Sequence, residues 1–591
     1  MSKLKRKKVK SKRIFILGLL FSVVFIAIVS RLGYVMIVDG SDYKQLALNQ
    51  WTKTIKMAPK RGTILSKNGS ELALSTDVYK VDVDLNVLKI YLTNKKIPQK
   101  QVVAQLSEKL NIETSEVQKK LNSKDSKGNL LQFVFLKRKV GKAAVDDIKA
   151  LKYNGIIISN DVDRVYSNDN FLSQVIGHSN SEGNGISGVE QSYNNELAGV
   201  PGVKVAQVDR NNNELPYTEA TTVKPVDGKN LTLTIDERIQ ELAETVAKQT
   251  LAENGAKSVS ITIMDPQNGE ILAMANAPGY NPNKPYEIGK TDGETQEIWK
   301  NRAVSNMFEP GSIFKVITAA AALKNNLVTE QDRFVSDGSI RVGNTTLYND
   351  NKEDYGVETF SDIIRNSDNV AFVKLGQKIG KENLYKFIKD AGFGQKTGID
   401  LPGESTGLIK DFKSIGPVDF ATMAYGQGIA VTQTQYISAF NAIANGGTWI
   451  RPHVMKDISH MVSGKKIVDK QYGNLDKRNI ISNENAAQLR TYLESVVKEG
   501  TAVDTYIKGY HIAGKTGTAN VVNNTTGGYE SGKYIASFAG MAPASNPKVT
   551  LIVTVEEPNS EKYYAAQTAV PAARKLFSGL FTILNIPPDT K

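Results

Sequence analysis

A serine and a lysine stand three residues apart in FEPGSIFKVITAAAAL, as Ser312 and Lys315. On a helix this spacing puts both side chains on one face. A lysine amine can take a serine proton, so the pair could perform acyl transfer without histidine. S-x-x-K alone is weak, because it occurs six times, starting at Ser2, Ser41, Ser312, Ser463, Ser495 and Ser545. Ser312 differs in context: Pro310 and Gly311 precede it and a strongly helical run follows. A serine there meets the unpaired N–H groups and dipole of a helix N-terminus, which favour developing negative charge. An N-capping serine followed by a solvated lysine fits the same residues. A free lysine titrates near about 10.4, so a base working near neutrality needs its ammonium destabilised by about 4 kcal/mol. A second ammonium about 4 Å away supplies roughly that much at an effective dielectric of ~20. Deep burial is the other route.

Two later motifs could complete such a site. Ser367-Asp368-Asn369 begins fifty-five residues after Ser312 and offers a hydroxyl and an amide from one tight turn. By itself it reads as the N-cap of the helical run that follows. Lys-Thr-Gly occurs twice, at Lys396-Thr397-Gly398 and Lys515-Thr516-Gly517. The first lies between a helix C-terminus and the turn-rich IDLPGE, where a lysine is most simply solvated. The second lies in the alternating YHIAGKTGTANV. In a strand, Lys515 and Gly517 point to one face and Thr516 and Thr518 to the other. Gly517 has no Cβ, so another chain can approach closely. An exposed edge strand there can pair with an extended peptide.

The composition removes other chemistries. There is no cysteine, which excludes disulfides, thiolate zinc sites and thiol nucleophiles. Of the four histidines, His178, His453, His460 and His511, none is at ligand spacing with another. No metal site is expected, and no G-x-S-x-G elbow announces a histidine triad. The net charge of +13 is concentrated in MSKLKRKKVKSKR, which holds eight Lys and Arg and leaves +5 for the rest. Nucleic-acid binding therefore loses its support. Ile14–Ser30 follows without a charge, and apolar character resumes after Arg31. A helix of about 22–25 residues can span a ~30 Å hydrocarbon core, and the basic flank keeps the N-terminus cytoplasmic. No convincing cleavage site precedes Gly40, so an uncleaved anchor is expected.

The elements that must position the motifs follow from patterning. Residues 1–13 are a basic cytoplasmic tail and 14–38 the transmembrane anchor. Residues 39–225 mix helical and alternating runs without a catalytic constellation. From 226 to 588 strands stand at both ends: SVSITIMDPQNGEILAMANA early, then HIAGKTGTANV, YIASFAGMAP and KVTLIVTVEEP. Helical patterns dominate from about 312 to 500. The expected class is α+β, one antiparallel sheet with a mostly helical subdomain.

S-x-x-K, S-D-N and K-T-G in this order, together with RGTILSKNG, GISGVEQSYNNELAGVPG, MDPQNGEILAMANAPGYNPN, FGQKTGIDLPGE, MAYGQG and ASFAGMAPA, resemble a class B, monofunctional penicillin-binding protein. The similarity is to the cell-division and sporulation transpeptidases and covers the chain from the anchor to about residue 580. It implies the penicillin-binding transpeptidase fold, an N-terminal α/β pedestal of the dimerisation type, and one transmembrane helix. It implies that Ser312 attacks the penultimate D-alanine carbonyl of a peptidoglycan stem peptide and that Lys315 is its base. Ser367 and Asn369 would assist proton transfer and hold substrate, Lys515 would tune the electrostatics, and Thr516, Gly517 and Thr518 would bind substrate. β-Lactams would acylate Ser312. The resemblance calls for no cofactor and implies a membrane glycosyltransferase as partner. The FGxxTGIDLPGE stretch is a structural landmark in the family.

Two rival functions use the same acylation. A class A β-lactamase carries a deacylating Glu in E-x-x-L-N between S-D-N and K-T-G, and no such pattern lies between Asn369 and Lys515. A membrane β-lactam sensor needs an intracellular effector, for which a 13-residue tail is expected to be too short.

Overall fold

The computed structural model describes all residues except 1–2, 208–220, 288, 290, 474–475, 524–527, 560 and 589–591. The S-x-x-K serine at Ser2 lies outside the described residues. Packing divides the chain into two units. The first comprises Met1–Pro59, Asp77–Asp163 and Val200–Val226; the second comprises Lys60–Thr76, Arg164–Gly199 and Asp227–Lys591.

The first unit begins with a helix over Lys3–Ile37. Its stretch Lys12–Ile37 is long and apolar enough to cross a membrane; 26 helical residues rise about 39 Å. Strands Thr52–Met57, Gly202–Gln207 and Thr221–Val223 form an antiparallel ribbon. A separate small core gathers Val81, Val83, Leu88, Val102, Leu106, Val117, Leu136, Val145 and Ile148. Its helix Gln99–Leu110 buries Val102, Val103, Leu106 and Leu110, the stripe that 3.6-residue periodicity requires.

The second unit is built on a five-stranded antiparallel sheet. Its strands are β1 (Ser258–Met264), β2 (Ile271–Ala277), β3 (Ala513–Val522), β4 (Tyr529–Ala542) and β5 (Val549–Glu556). The spatial order is β2-β1-β5-β4-β3, with β3 at an edge. The principal helices are α1 (Glu237–Asn254), α2 (Lys315–Lys324), α3 (Asn369–Ile379), α4 (Gln433–Ala444), α5 (Asn483–Glu499) and α6 (Ala569–Ile583). Helices α1 and α6 pack on each other and on the sheet, while α4 packs on β1 and β5. Strands β1 and β2 are buried at every position, including Ser258, Ser260 and Thr262 of the alternating SVSITIM. Asp236 caps α1 by accepting the Arg238 N–H, and Gly255 ends it in the left-handed region.

One hub explains two of the motifs. Arg61 of RGTILS and Arg164 bracket Glu190 of GVEQ, with Nε–Oε distances of 2.5 and 2.8 Å. Glu190 is fully buried, and two guanidinium groups hold its carboxyl below the usual range against burial. Removing Glu190 would leave two buried guanidinium groups facing each other without a counter-charge.

The segment 312–500 is less helical than its periodicity suggests. It also contains strands Arg333–Ser336 and Gly356–Thr359, Ser339–Val342 and Thr345–Tyr348, and the hairpin Met455–Val462 with Lys465–Gln471. Ser463 and Gly464 both take positive φ, the two-residue turn that matches strand twist. One serine of the recurring S-x-x-K pattern is thus a hairpin corner.

Candidate active site

Gly311–Phe314 forms one 3-10 turn that runs directly into α2. Ser312 is therefore in the first turn, half-buried, with Lys315 at the start of the α-helix. Three contacts fix this turn. Tyr436, fully buried on α4, donates its hydroxyl to the Ile313 carbonyl at 2.7 Å. Gly311 donates to the Gly426 carbonyl of MAYGQG at 3.0 Å. Gly517 on β3 lies against it: a Cβ there would stand 2.8 Å from the Pro310 carbonyl oxygen and 2.9 Å from Ser537 Oγ. That is why the second K-T-G carries a glycine.

Lys315 is 1% exposed, and its Nζ meets four oxygens. Ser367 O is at 2.6 Å, Asn369 Oδ1 at 2.7 Å, Ser312 Oγ at 3.1 Å and Ser367 Oγ at 3.2 Å. The first two accept only. A neutral amine has two N–H groups, and these two acceptors use both. The lone pair is then left for a hydroxyl proton, from Ser312 or Ser367. Asn369 is oriented by its own amide, which donates to the Tyr348 carbonyl at 3.1 Å.

Lys515 is wholly buried on β3 and donates to Ser367 Oγ at 2.9 Å. Burial pushes Lys515 down to about 7. Lys315 is pushed well below the ordinary lysine range, first by burial and second by the Lys515 cation, against the carboxylates of Asp368, Asp350 and Glu358. The second ammonium expected from the sequence is present, but desolvation is the larger cause.

Ser367 itself has φ 60°, a left-handed conformation uncommon for a serine. It stands between the helix Phe360–Arg365 and α3. Asp368 caps α3 by accepting the Ala371 N–H, so the N-cap reading and the site reading apply to one turn. Thr518 is half-buried, and its hydroxyl accepts the Ala565 N–H at 3.1 Å. Thr516 is 8% exposed, and its hydroxyl is bonded to that of Thr501 at 2.8 Å.

The structure thus brings Ser312, Lys315, Ser367, Asn369 and Lys515 together, with Gly517 packed beneath and Thr518 on the same strand. It does not bring the other K-T-G there. Lys396 is exposed. Thr397 N–H and hydroxyl donate to Glu404 at 2.6 and 2.5 Å, and Gly398 N–H reaches the same carboxylate at 3.2 Å. That triplet is a turn closed by the glutamate of DLPGE. Sequence reasoning missed Tyr436, Thr501 and Glu358, which support the site from behind. No spacing signal marks any of them, since each is an isolated residue whose partner lies far along the chain. Among the described residues no group of three or more His, Asp or Glu side chains could hold a metal ion.

A half-buried serine beside a buried lysine, with a second serine, a second lysine and an edge strand, is a set of groups that could carry out acyl transfer without histidine. Comparison with known proteins identifies the family. Residues 259–578 match the penicillin binding protein transpeptidase domain, and residues 56–233 match the penicillin-binding protein dimerisation domain. Stage V sporulation protein D of Bacillus subtilis is 34% identical over 98% of this chain and 86% of its own length. The peptidoglycan D,D-transpeptidase FtsI of Escherichia coli K12 is 30% identical over 94% of this chain and 88% of its own. The crystal structure of a peptidoglycan synthetase from Bifidobacterium adolescentis superimposes with a TM-score of 0.71 at 27% identity, covering 91% of this chain and 98% of that one. Penicillin binding protein 3 from Mycobacterium tuberculosis, complexed with aztreonam, gives 0.67 at 25% identity over 90% and 98%. The chain belongs to the penicillin-binding protein transpeptidases, in their class B branch of the division and sporulation type.

Proposed function

We propose that this chain cross-links peptidoglycan stem peptides through an acyl-enzyme on Ser312. Ser312 Oγ attacks the penultimate D-alanine carbonyl carbon, and its proton passes to Lys315 Nζ. Backbone N–H groups of Ser312 and Thr518 hold the oxyanion, each such donor being worth roughly 3–4 kcal/mol. The amide bond to the terminal D-alanine breaks, and the departing nitrogen takes the proton by way of Ser367. An amine from a neighbouring stem peptide then attacks the ester carbon and gives a proton to Lys315; the ester bond to Ser312 Oγ breaks, Lys315 returns the proton to that oxygen, and the cross-link is left as product. Asn369 fixes Lys315 and the substrate backbone, Lys515 keeps the local potential positive, and Thr516 and Thr518 bind the substrate carboxylate. β-Lactams enter as covalent inhibitors by acylating Ser312. The reading rests on Lys315, whose two N–H groups find two obligate acceptors while Ser312 Oγ stands 3.1 Å away.

In this account residues 14–38 anchor the chain, residues 1–13 stay cytoplasmic, and the pedestal (39–225) and transpeptidase domain (226–588) lie outside the membrane. A membrane glycosyltransferase is the protein partner, as in the family. The test is turnover of a stem pentapeptide: the wild-type chain releases D-alanine and forms dimers, a β-lactam stops both, and Ser312→Ala does neither. Rapid hydrolysis of a chromogenic cephalosporin without dimer formation would instead make it a β-lactamase.

A further inference from the structure

The two residues flanking Ser367 are held by one side chain. Glu358, on the strand Gly356–Thr359, accepts from Asn366 Nδ2 through Oε1 at 2.7 Å. The Asp368 carboxyl is close enough to act on that of Glu358. The two residues are 3% and 0% exposed. Asp368 Oδ1 is satisfied by the Ala371 N–H at 2.7 Å. Glu358 Oε2 and Asp368 Oδ2 remain, both buried and both without an N–H or O–H donor among the described residues. Two ionised carboxylates only accept and cannot bond each other. One proton between the two orphaned oxygens satisfies both.

We propose that Glu358, carrying this shared proton, is a positioning residue that clasps Asn366 and Asp368 and so holds Ser367 in its left-handed conformation between Lys315 and Lys515. The inference rests on the reading of Ser312 as the acylated serine. Loss of the proton sets two like charges side by side and opens the clasp. It also adds a negative charge that favours the ammonium form of Lys315, the form that cannot take a proton. The other groups facing the pair are Asp362 with Arg365 and Arg333, Tyr355, Asp350 and Lys315. Burial first, then the Asp368 carboxyl, pushes the Glu358 carboxyl up to about 8.

The test uses the full chain in detergent and reads the second-order rate of acylation by a fluorescent penicillin from about pH 6 to about pH 9.5, spanning the titration of such a pair. Glu358→Gln imitates the protonated acid, since its amide donates to Asp368 while its oxygen accepts from Asn366. Below about pH 7 this variant acylates within about threefold of wild type, while Glu358→Ala is slower by about tenfold, the equivalent of one lost hydrogen bond. Above about pH 8 the ratio of Glu358→Gln to wild type climbs toward tenfold per pH unit, because only the wild type loses the proton. A ratio flat to about pH 9.5, or a Gln variant as slow as the Ala variant, overturns the inference. If Glu358→Ala does not fold, the Gln ratio alone decides. A role confined to stability lowers the melting temperature of both variants and leaves the ratio flat. Penicillin label on Ser312→Ala would overturn the site reading and this inference together; an unlabelled Ser312→Ala with a flat ratio sinks the inference alone.

Discussion

Lys315 and Lys515 meet at one oxygen: Ser367 Oγ lies 3.2 Å from the first amine nitrogen and 2.9 Å from the second. Two buried ammonium groups cannot both stay charged around one hydroxyl, so the two titrations separate. Burial pushes Lys515 down to about 7, and Lys315 is pushed well below the ordinary lysine range, first by burial and second by the Lys515 cation. On the proposed reading the pair divides the work into one base and one fixed charge.

This division predicts an alkaline limb in acylation. Lys515 is a cation below its titration and neutral above it, so the rate falls as pH rises through about 7. Lys515→Arg stays charged throughout. Its rate at pH 7 drops by about tenfold or more because the planar fork does not fit an ammonium site. Its alkaline limb moves up to about 8, where the Glu358 carboxyl titrates next. Penicillin acylation rates against pH for the two proteins measure this; coincident limbs would remove Lys515 from the account.

The two K-T-G triplets should separate cleanly. Lys396→Ala labels with fluorescent penicillin at the wild-type rate, and Lys515→Ala loses most of the label. Glu404→Ala, which strips the acceptor from three donors, lowers unfolding free energy by about 2–3 kcal/mol in denaturant titration. The protein that remains folded acylates normally. Loss of acylation at equal folded fraction would tie the first triplet to catalysis.

The two threonines of β3 differ in exposure, and their variants should differ too. Thr518→Val removes a hydroxyl from the half-buried side of the strand and weakens stem-peptide turnover by about tenfold, mostly as a raised KM. Thr516→Val breaks the bond to Thr501 and costs about 1 kcal/mol of stability, with a smaller effect on KM. Steady-state kinetics with melting curves separates the two; an equal rise in KM would place both on the substrate.

Much of this was legible in the sequence because the informative features are local. The turn before α2, the alternation of β3, the Pro266–Gly269 hairpin turn between β1 and β2 and the apolar run after the basic tail each declare themselves within a few residues. The alternating surroundings of Lys515, against the turn-rich surroundings of Lys396, distinguished the two K-T-G copies, which are identical as triplets and both follow the other two motifs. Three things were not legible. The strands within 312–500 are short, pair over long separations, and sit among stronger helical periodicities. The share of burial in lowering Lys315 depends on packing that no local pattern encodes. The proposed clasp on Ser367 joins Glu358 to Asn366, eight positions later, by a hydrogen bond and to Asp368, ten positions later, by a shared proton, which only the three-dimensional count of donors and acceptors exposes.

The central claim is that Ser312 Oγ is the nucleophile that takes the acyl group. The direct test is peptide mapping by mass spectrometry after brief exposure of the full chain to a penicillin. The account predicts a single penicilloyl adduct on the peptide carrying Ser312, fragment ions placing it on that serine, and no adduct on Ser312→Ala. An adduct on Ser367 or elsewhere in the wild type, or undiminished acylation of Ser312→Ala, would contradict it.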